Sequence, residues 1–229
     1  MPSLENGDSG FSGKLGEYRY LFLALSMVAL LVFGPLLQNI SPLVTPFLFL
    51  FVMIAVFRTI RPSRRIGWLL LALIIIGFGC HLANEVIKIS TDMDTSAPEI
   101  IRLADYTLYF GLCIVLLVTQ IFSERKISLD TIRGGIAVYF IIGLEWALFY
   151  QILLQAEPSA ISLLSNSTGH FSELLYFSFT TLTTLGYGDI SPVSWMARNL
   201  TILESTLGQV YLTVLVARLV GLHISGKES

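Results

Sequence analysis

The chain has 229 residues, of which 54% are hydrophobic and only 13% are charged. A typical soluble domain is about 25% charged, so this chain has too little polar surface to keep its apolar side chains away from water. The net charge of −2 excludes a strongly basic nucleic-acid binder, and the low charge content excludes a charge-rich disordered chain. The composition predicts an all-α integral membrane protein.

Six apolar segments are long enough to be membrane-spanning helices, each of which needs about 20 residues. The first two share an uncharged run from Tyr20 to Phe57, which a polar break at Gln38–Pro42 divides. A further apolar segment, Phe171–Thr183, is too short to cross and is predicted to enter the membrane and turn back. The predicted spans are, in chain order, 20–38, 42–58, 66–86, 100–122, 135–155 and 196–224.

The basic residues indicate how these helices are oriented. Eleven of the 14 Lys and Arg residues fall on the side that carries both termini, and only Lys88, Arg102 and Arg198 fall on the other. Because Lys and Arg concentrate in cytoplasmic loops, both termini are predicted to lie in the cytoplasm of a cell-membrane protein. The short re-entrant helix then enters from the outside.

The most informative stretch follows the re-entrant helix and runs from Thr180 to Asp189, with the sequence TTLTTLGYGD. Gly186 and Gly188 alternate with larger residues, and glycine readily adopts positive φ. A strand that alternates left- and right-handed conformations points successive carbonyls to one side. Four such strands around an axis would form rings of carbonyl oxygens that replace the water shell of a cation. The stretch therefore predicts a cation pathway lined by backbone.

In this stretch the chain resembles the potassium-channel superfamily, whose filter signature is Thr-Val-Gly-Tyr-Gly, usually followed by Asp. Here the signature spans Thr184–Asp189 and has Leu185 in place of the usual Val. The resemblance covers about residues 135–224: Ser172–Thr183 looks like the pore helix, and the last span, with Gly208, looks like the inner helix of small bacterial channels. The first four spans resemble the six-span members of the superfamily by count and hydropathy alone.

The resemblance implies a role for each matching residue. Potassium would bind at backbone carbonyls of the filter and at the Thr184 hydroxyl. The carbonyls would be those of Thr184, Leu185, Gly186 and Tyr187, and Gly188 would complete the filter. The residues that support the filter would be Asp189, Thr180, Tyr176 and Phe177. The inner helix would contribute Gly208, as a hinge or as a site of close packing, and cavity-facing side chains at Gln209, Leu212 and Val216.

The resemblance also implies the assembly and the function. One filter strand cannot enclose an ion, so a homotetramer with fourfold symmetry is expected. It would be a potassium-selective channel that passes K+ passively, with no enzymatic activity and no cofactor besides the permeant ion. Residues 1–19 would be a cytoplasmic segment, residues 20–133 a four-helix membrane domain, and residues 134–229 the pore domain. Its partners would be K+, the lipid bilayer and, as an open question, a separate regulatory subunit.

Ionisable residues inside a span are costly and indicate either a satisfied polar contact or a function. Glu145 and Glu204 lie within the fifth and sixth spans, where each would form an interhelical hydrogen bond or act as a protonation switch behind the filter. We expect Glu204 to reach the pore helix, where hydroxyls are available at Ser178, Thr181 and Thr183.

The fourth span carries a single basic residue, Arg102, near its outer end. A voltage sensor needs Arg or Lys at every third position, because each charge that crosses the membrane contributes only about 2.3 kcal/mol per 100 mV. The four-helix domain is therefore not expected to sense voltage.

Three other functions compete with a selective channel. A potassium transporter subunit would show internal repeats, whereas this chain has one filter-like segment. A weakly selective cation channel is disfavoured because Tyr187 and Gly188, which would form the outer ion sites, are both present. A non-conducting sensor or scaffold that retains the pore fold would have the same sequence pattern as a channel.

Overall fold

The computed structural model describes residues 19–38, 43–60, 62–91, 96–123, 129–164 and 171–225. The predicted cytoplasmic segment lies outside these residues except for Arg19. Seven helices and two short strands occur within the described ranges. In chain order they are α1 Arg19–Gln38, α2 Val44–Thr59, α3 Arg64–Thr91, α4 Ser96–Ser123, α5 Leu129–Ala156, β1 Ile161–Ser162, α6 Phe171–Leu182, β2 Ser191–Pro192 and α7 Trp195–Ser225.

Four of these helices, α3, α4, α5 and α7, are long and apolar enough to cross a membrane, so the described residues form a helical membrane protein. The other two predicted spans correspond to shorter apolar helices, Tyr20–Phe33 within α1 and Val44–Thr59. Sixteen residues of helix rise about 24 Å, which is less than the roughly 30 Å of a bilayer core. The length and composition of four helices agree with the prediction of six spans, whereas the first two spans, in α1 with 20 residues and α2 with 16, stay predictions.

Helix α5 is the central element, since it packs against α1, α4, α6 and α7. Glycines allow these close approaches. A Cβ on Gly134 would lie 3.1 Å from both the Tyr20 ring and Ile121, and a Cβ on Gly135 would lie 2.7 Å from Leu215. Small residues at such positions let helix backbones approach one another, which is the main source of packing energy inside a membrane.

Two of the first four helices, α1 and α2, also contact the re-entrant helix α6. The ring of Phe49 on α2 stacks on Tyr106 of α4, with centroids 4.9 Å apart, and meets the edge of Phe171 at 5.2 Å.

At the opposite end of α4, the Arg218 guanidinium of α7 donates to the Ile121 carbonyl at 2.6 Å. The same guanidinium lies 4.8 Å above the centre of the Phe122 ring.

A short antiparallel pairing adds to the predicted all-helical fold. Strands β1 and β2 pair Ile161 with Pro192 and Ser162 with Ser191. Beside this pairing, the amides of Val193 and Ser194 both donate to the Ala160 carbonyl, at 2.8 and 3.1 Å. The pairing joins the chain before α6 to the chain after the TTLTTLGYGD stretch. Two-residue strands leave no periodicity in a sequence, so the sequence did not predict them.

Arg102 is buried on α4 and contacts Glu99, with 3.5 Å between Nη2 and Oε1. Its guanidinium carbon lies 5.8 Å from the centre of the Tyr106 ring. Along Ser96–Ser123 it is the only Arg or Lys. The lack of voltage sensing stays a prediction, and this single paired cation agrees with it.

We expect Gly143→Ala to destabilise the fold by about 1–3 kcal/mol, because overpacked sites cost this much. A Cβ on Gly143 would lie 2.8 Å from the Phe179 ring, which packs α6 onto α5. Gly79→Ala is the matched control, since a Cβ there would have no atom within 4 Å. Thermal unfolding of the purified proteins in detergent measures the difference, and equal midpoints for the two variants would contradict this packing.

Candidate functional site

Helix α6 is a 12-residue helix that ends inside the protein, at Leu182. Its buried side faces α5 and α7 and contains Leu174, Leu175, Phe177, Ser178, Thr180 and Leu182. At about 18 Å it is too short to cross a bilayer, as the sequence predicted. The chain leaves the helix through a turn at Thr183 and Thr184 and continues without regular secondary structure to Asp189.

The backbone after α6 alternates between two conformations. Positive φ angles occur at Thr184 (59°), Gly186 (54°) and Gly188 (79°), with Leu185 and Tyr187 between them. Positive φ is uncommon for a residue other than glycine, so Thr184 is held there by its surroundings. This alternation is the backbone conformation that points successive carbonyls to one side. In the single chain Leu185 is 55% exposed and Tyr187 is 68% exposed.

Hydrogen bonds from the end of α6 hold this strand. The Thr184 amide donates to the Thr181 carbonyl at 2.9 Å, and the Gly186 amide donates to the Thr180 carbonyl at 3.0 Å. Thr180 thus contacts the strand through its backbone, because its hydroxyl donates to the Phe177 carbonyl in its own helix at 2.9 Å.

Asp189 ends the strand and is bound on both carboxylate oxygens. The Tyr176 hydroxyl donates to Oδ2 at 2.7 Å, and the Ile190 amide donates to Oδ1 at 3.0 Å. The Tyr176 hydrogen bond lowers the pKa of Asp189 below its usual value, because a donor stabilises the ionised form. Tyr176 therefore ties the end of the strand to α6.

Phe177, the other predicted aromatic support, and Tyr187 of the strand have different surroundings. Phe177 is buried, and its ring centre is 4.9 Å from that of Tyr150 on α5. Phe177 thus packs α6 onto α5, whereas the Tyr187 side chain is exposed on the single chain.

The carbonyl of Leu182, the last residue of α6, is where three helices meet. The Tyr139 hydroxyl of α5 donates to it at 3.0 Å. From α7, Gly208 approaches so closely that a Cβ would lie 2.7 Å from the same oxygen. The Tyr139 ring stacks on Tyr211 of α7 with centroids 6.1 Å apart. Of the two roles considered for Gly208, close packing is the one that these contacts support.

Glu204 makes the expected contact with α6, at Ser178. The Ser178 hydroxyl lies 2.5 Å from Oε1, and the Tyr150 hydroxyl lies 2.5 Å from Oε2. Glu145 does not share these contacts. It lies against α4, where a Cβ on Gly111 would be 3.4 Å from its Oε1, and its buried Oε2 has no hydrogen-bond partner among the described residues.

The side chains predicted to face a cavity lie on an exposed part of α7. Gln209 and Val216 are exposed and Leu212 is half-buried, but Leu207, Val210 and Val214 on the same helix are exposed as well. A single chain leaves more than one face of α7 open, so the assignment of these three residues stays a prediction.

Sequence reasoning missed Tyr139 and Tyr150, both of which donate hydrogen bonds inside the pore domain. Each lies on α5 among many apolar residues, and tyrosine is common in buried helices. A usable signal was the need for donors: the predicted helix end near residue 182 and the carboxyl of Glu204 both need partners inside a membrane.

Residues 134–223 match the sequence model of a family described as "Ion channel". These residues comprise most of α5, all of α6 and the strand, and most of α7. The chain therefore belongs to this ion-channel family. It contains an ion-channel domain with two membrane-spanning helices like that of potassium channels.

The chain is also similar to two curated proteins. Protein LctB of Geobacillus stearothermophilus is 34% identical over 104 residues, which cover 43% of this chain and 76% of the relative. Protein LctB of Bacillus caldotenax is 29% identical over 103 residues, with the same shares of the two chains. No solved structure matches the chain.

We expect Tyr176→Phe to raise the pKa of Asp189, because the variant keeps the ring but removes the main donor to the carboxylate. The contribution of this hydrogen bond to stability is present at neutral pH and is lost as the pH falls through the lowered pKa. Carbon-13 NMR titration of the Asp189 carboxyl in detergent measures the change, with the Glu157 carboxyl as internal reference. The prediction fails if the two proteins give the same Asp189 titration.

Gly208→Ala should lower thermal stability clearly, because the new methyl group would meet the backbone oxygen of Leu182 rather than a flexible side chain. Gly221→Ala on the same helix is the control, since a Cβ there would have no atom within 4 Å. Unfolding midpoints in detergent compare the two. A fully stable Gly208→Ala protein would favour the hinge role instead.

Proposed function

We propose that this protein is a potassium-selective channel of the cell membrane that passes K+ passively through a homotetrameric pore. The observation that carries the proposal is the alternation of positive φ at Thr184, Gly186 and Gly188, within a TLGYGD sequence. This backbone presents carbonyl oxygens to one side, and rings of such oxygens can replace the hydration shell of K+. Membership of the ion-channel family supports the transport role.

The ion sites would be formed by the carbonyls of residues 184–187 and the Thr184 hydroxyl, contributed by four chains around one axis. Leu185 and Tyr187 are exposed on a single chain, and in a tetramer neighbouring chains would cover them. In the tetramer, Tyr187 would pack between its own strand and a neighbouring α6. Leu185 changes the packing behind the strand but leaves the carbonyl chemistry unaltered.

The remaining features assign the other roles. Asp189 and Tyr176 would hold the outer mouth, and Gly208 would bring the inner helix against the base of the filter. Both termini would lie in the cytoplasm, since 11 of 14 basic residues fall on their side. The first four helices would contribute little voltage dependence, because Arg102 is the only basic residue of α4.

Purified protein in liposomes tests this function. With a potassium gradient and a flux-reporting dye, we expect K+ flux to exceed Na+ flux by a large factor. Equal fluxes would favour a weakly selective channel, and no flux at all would favour a non-conducting scaffold. Cross-linking or native mass spectrometry of the same sample should give a tetramer.

Gly186→Ala should abolish most of this K+ flux. A Cβ there would touch nothing within 4 Å, so the only effect within one chain is the strain of a positive φ at alanine. That strain costs about 1–2 kcal/mol in each chain and acts on all four copies. Gly79→Ala, where a Cβ also has open space, should conduct like the parent. Unchanged flux through the Gly186→Ala protein would contradict the filter assignment.

A further inference from the structure

The contacts around Glu204 need one hydrogen more than the neighbouring hydroxyls can supply if the carboxylate is ionised. The Ser178 hydroxyl oxygen lies 2.5 Å from Glu204 Oε1 and 2.7 Å from the backbone carbonyl of Gly143 on α5. Both distances are those of hydrogen bonds. A hydroxyl carries one hydrogen, so Ser178 can donate to only one of these two oxygens.

Counting hydrogens decides the protonation state. Three contacts need one hydrogen each: Ser178 to Gly143, Ser178 to Glu204, and Tyr150 to Glu204. If Glu204 is ionised, the two hydroxyls supply only two hydrogens. One of the three oxygen–oxygen contacts then has no hydrogen between its two atoms. If Glu204 is protonated, Oε1 donates to Ser178, Ser178 donates to Gly143, and the Tyr150 hydroxyl donates to Oε2. Every contact then has its hydrogen.

The surroundings also favour the neutral acid. Glu204 and Ser178 are both 0% exposed, and an unpaired charge in such a place is very costly. No Lys, Arg or His within the described ranges forms an ion pair with Glu204. The titratable side chains that face it are Tyr150 and, further away, Tyr139, both on α5. The pore helix α6 faces it with the Ser178 hydroxyl.

We propose that Glu204 holds a proton in the folded protein and that this proton makes Glu204 a positioning residue for the pore helix. The chain of hydrogen bonds runs from α7 through Ser178 on α6 to the Gly143 carbonyl on α5. It fixes α6 less than two turns before the turn at Thr183 and Thr184 that begins the filter strand. Loss of the proton removes one link of this chain and loosens α6. The proton assignment holds whether or not the pore conducts, while its consequence for the filter rests on the proposed function.

Infrared spectroscopy of the full chain in lipid vesicles tests the assignment, because a protonated carboxyl absorbs apart from a carboxylate. The parent protein at neutral pH should show protonated-carboxyl absorption, and its intensity should be lower in Glu204→Gln. Glu145→Gln removes the second buried glutamate, and Glu157→Gln removes an exposed one, so both variants should retain the Glu204 band. Equal protonated-carboxyl intensity in the parent and in Glu204→Gln overturns the proposal.

The pH dependence of stability provides a second measurement. In the unfolded state the Glu204 carboxyl has the ordinary pKa of glutamate, about 4.3, and loses its proton above that pH. The folded state keeps the proton. Stability is therefore full in acid and falls as the pH rises, by up to about tenfold in the folding equilibrium constant per pH unit and per chain. In Glu204→Gln the amide group replaces the acid proton as donor to Ser178, so this decline should be smaller than in the parent and in Glu145→Gln. A parent-like decline in Glu204→Gln overturns the positioning role.

Ser178→Ala keeps the test decisive if Glu204→Gln does not fold. Removing the acceptor of the Glu204 proton should shift the carboxyl band to higher frequency, and an unshifted band overturns the proposal. Flux measurements on the same vesicles test the channel function separately from the protonation of Glu204. A parent protein with the band but without K+ flux supports the protonated Glu204 and contradicts only the channel function.

Discussion

The structure depends on one constraint, the need of every backbone N–H at membrane depth for a partner. Irregular backbone is tolerated there only where it is buried in protein or lines water. The segment after α6 meets this need at Thr183, Thr184 and Gly186, whose amides donate to carbonyls in the last turn of that helix at 2.9–3.0 Å. These hydrogen bonds join the start of the strand to the end of α6. The conformation of the strand is therefore only as fixed as the end of α6.

The position of α6 depends in turn on the two long helices beside it. Gly143 of α5 and Gly208 of α7 have no side chain, which allows α6 to lie close to both helices. Polar contacts also hold α6 in place. Tyr139 donates to the Leu182 carbonyl, and the Ser178 hydroxyl contacts both Glu204 and the Gly143 carbonyl. These contacts are directional, whereas apolar packing alone would let a short helix slide or rotate in its site.

Much of this architecture could be predicted from the sequence. The long helices follow from hydropathy, and α6 with its strand follows from TTLTTLGYGD after a segment too short to cross. The contact of Glu204 with Ser178 was expected because a carboxyl inside a span must find donors, and the pore helix was the nearest element with hydroxyls. The helix bounds differ from the predicted spans by up to six residues, mainly where α3, α4 and α5 extend beyond their apolar cores.

Other features depend on distances that no sequence pattern carries. Tyr176 reaches Asp189 across 13 residues because the strand folds back along α6, whereas the resemblance named both as filter supports without pairing them. Gly208 is compatible with a hinge or with close packing until the Leu182 oxygen is seen beside it. The pairing of β1 with β2 is too short for any period, and the first two helices fall near the length at which hydropathy stops distinguishing a span from a buried helix.

The contact of Arg218 with α4 has a mechanical consequence. The Arg218 guanidinium binds a main-chain oxygen and lies over a ring at the end of α4. Arg218 therefore contacts both the backbone and a side chain of α4. A displacement of α4 along its axis must then carry the end of α7 with it or break both contacts. The first half of the chain is in this way coupled mechanically to α7, without any charged residue having to move through the membrane.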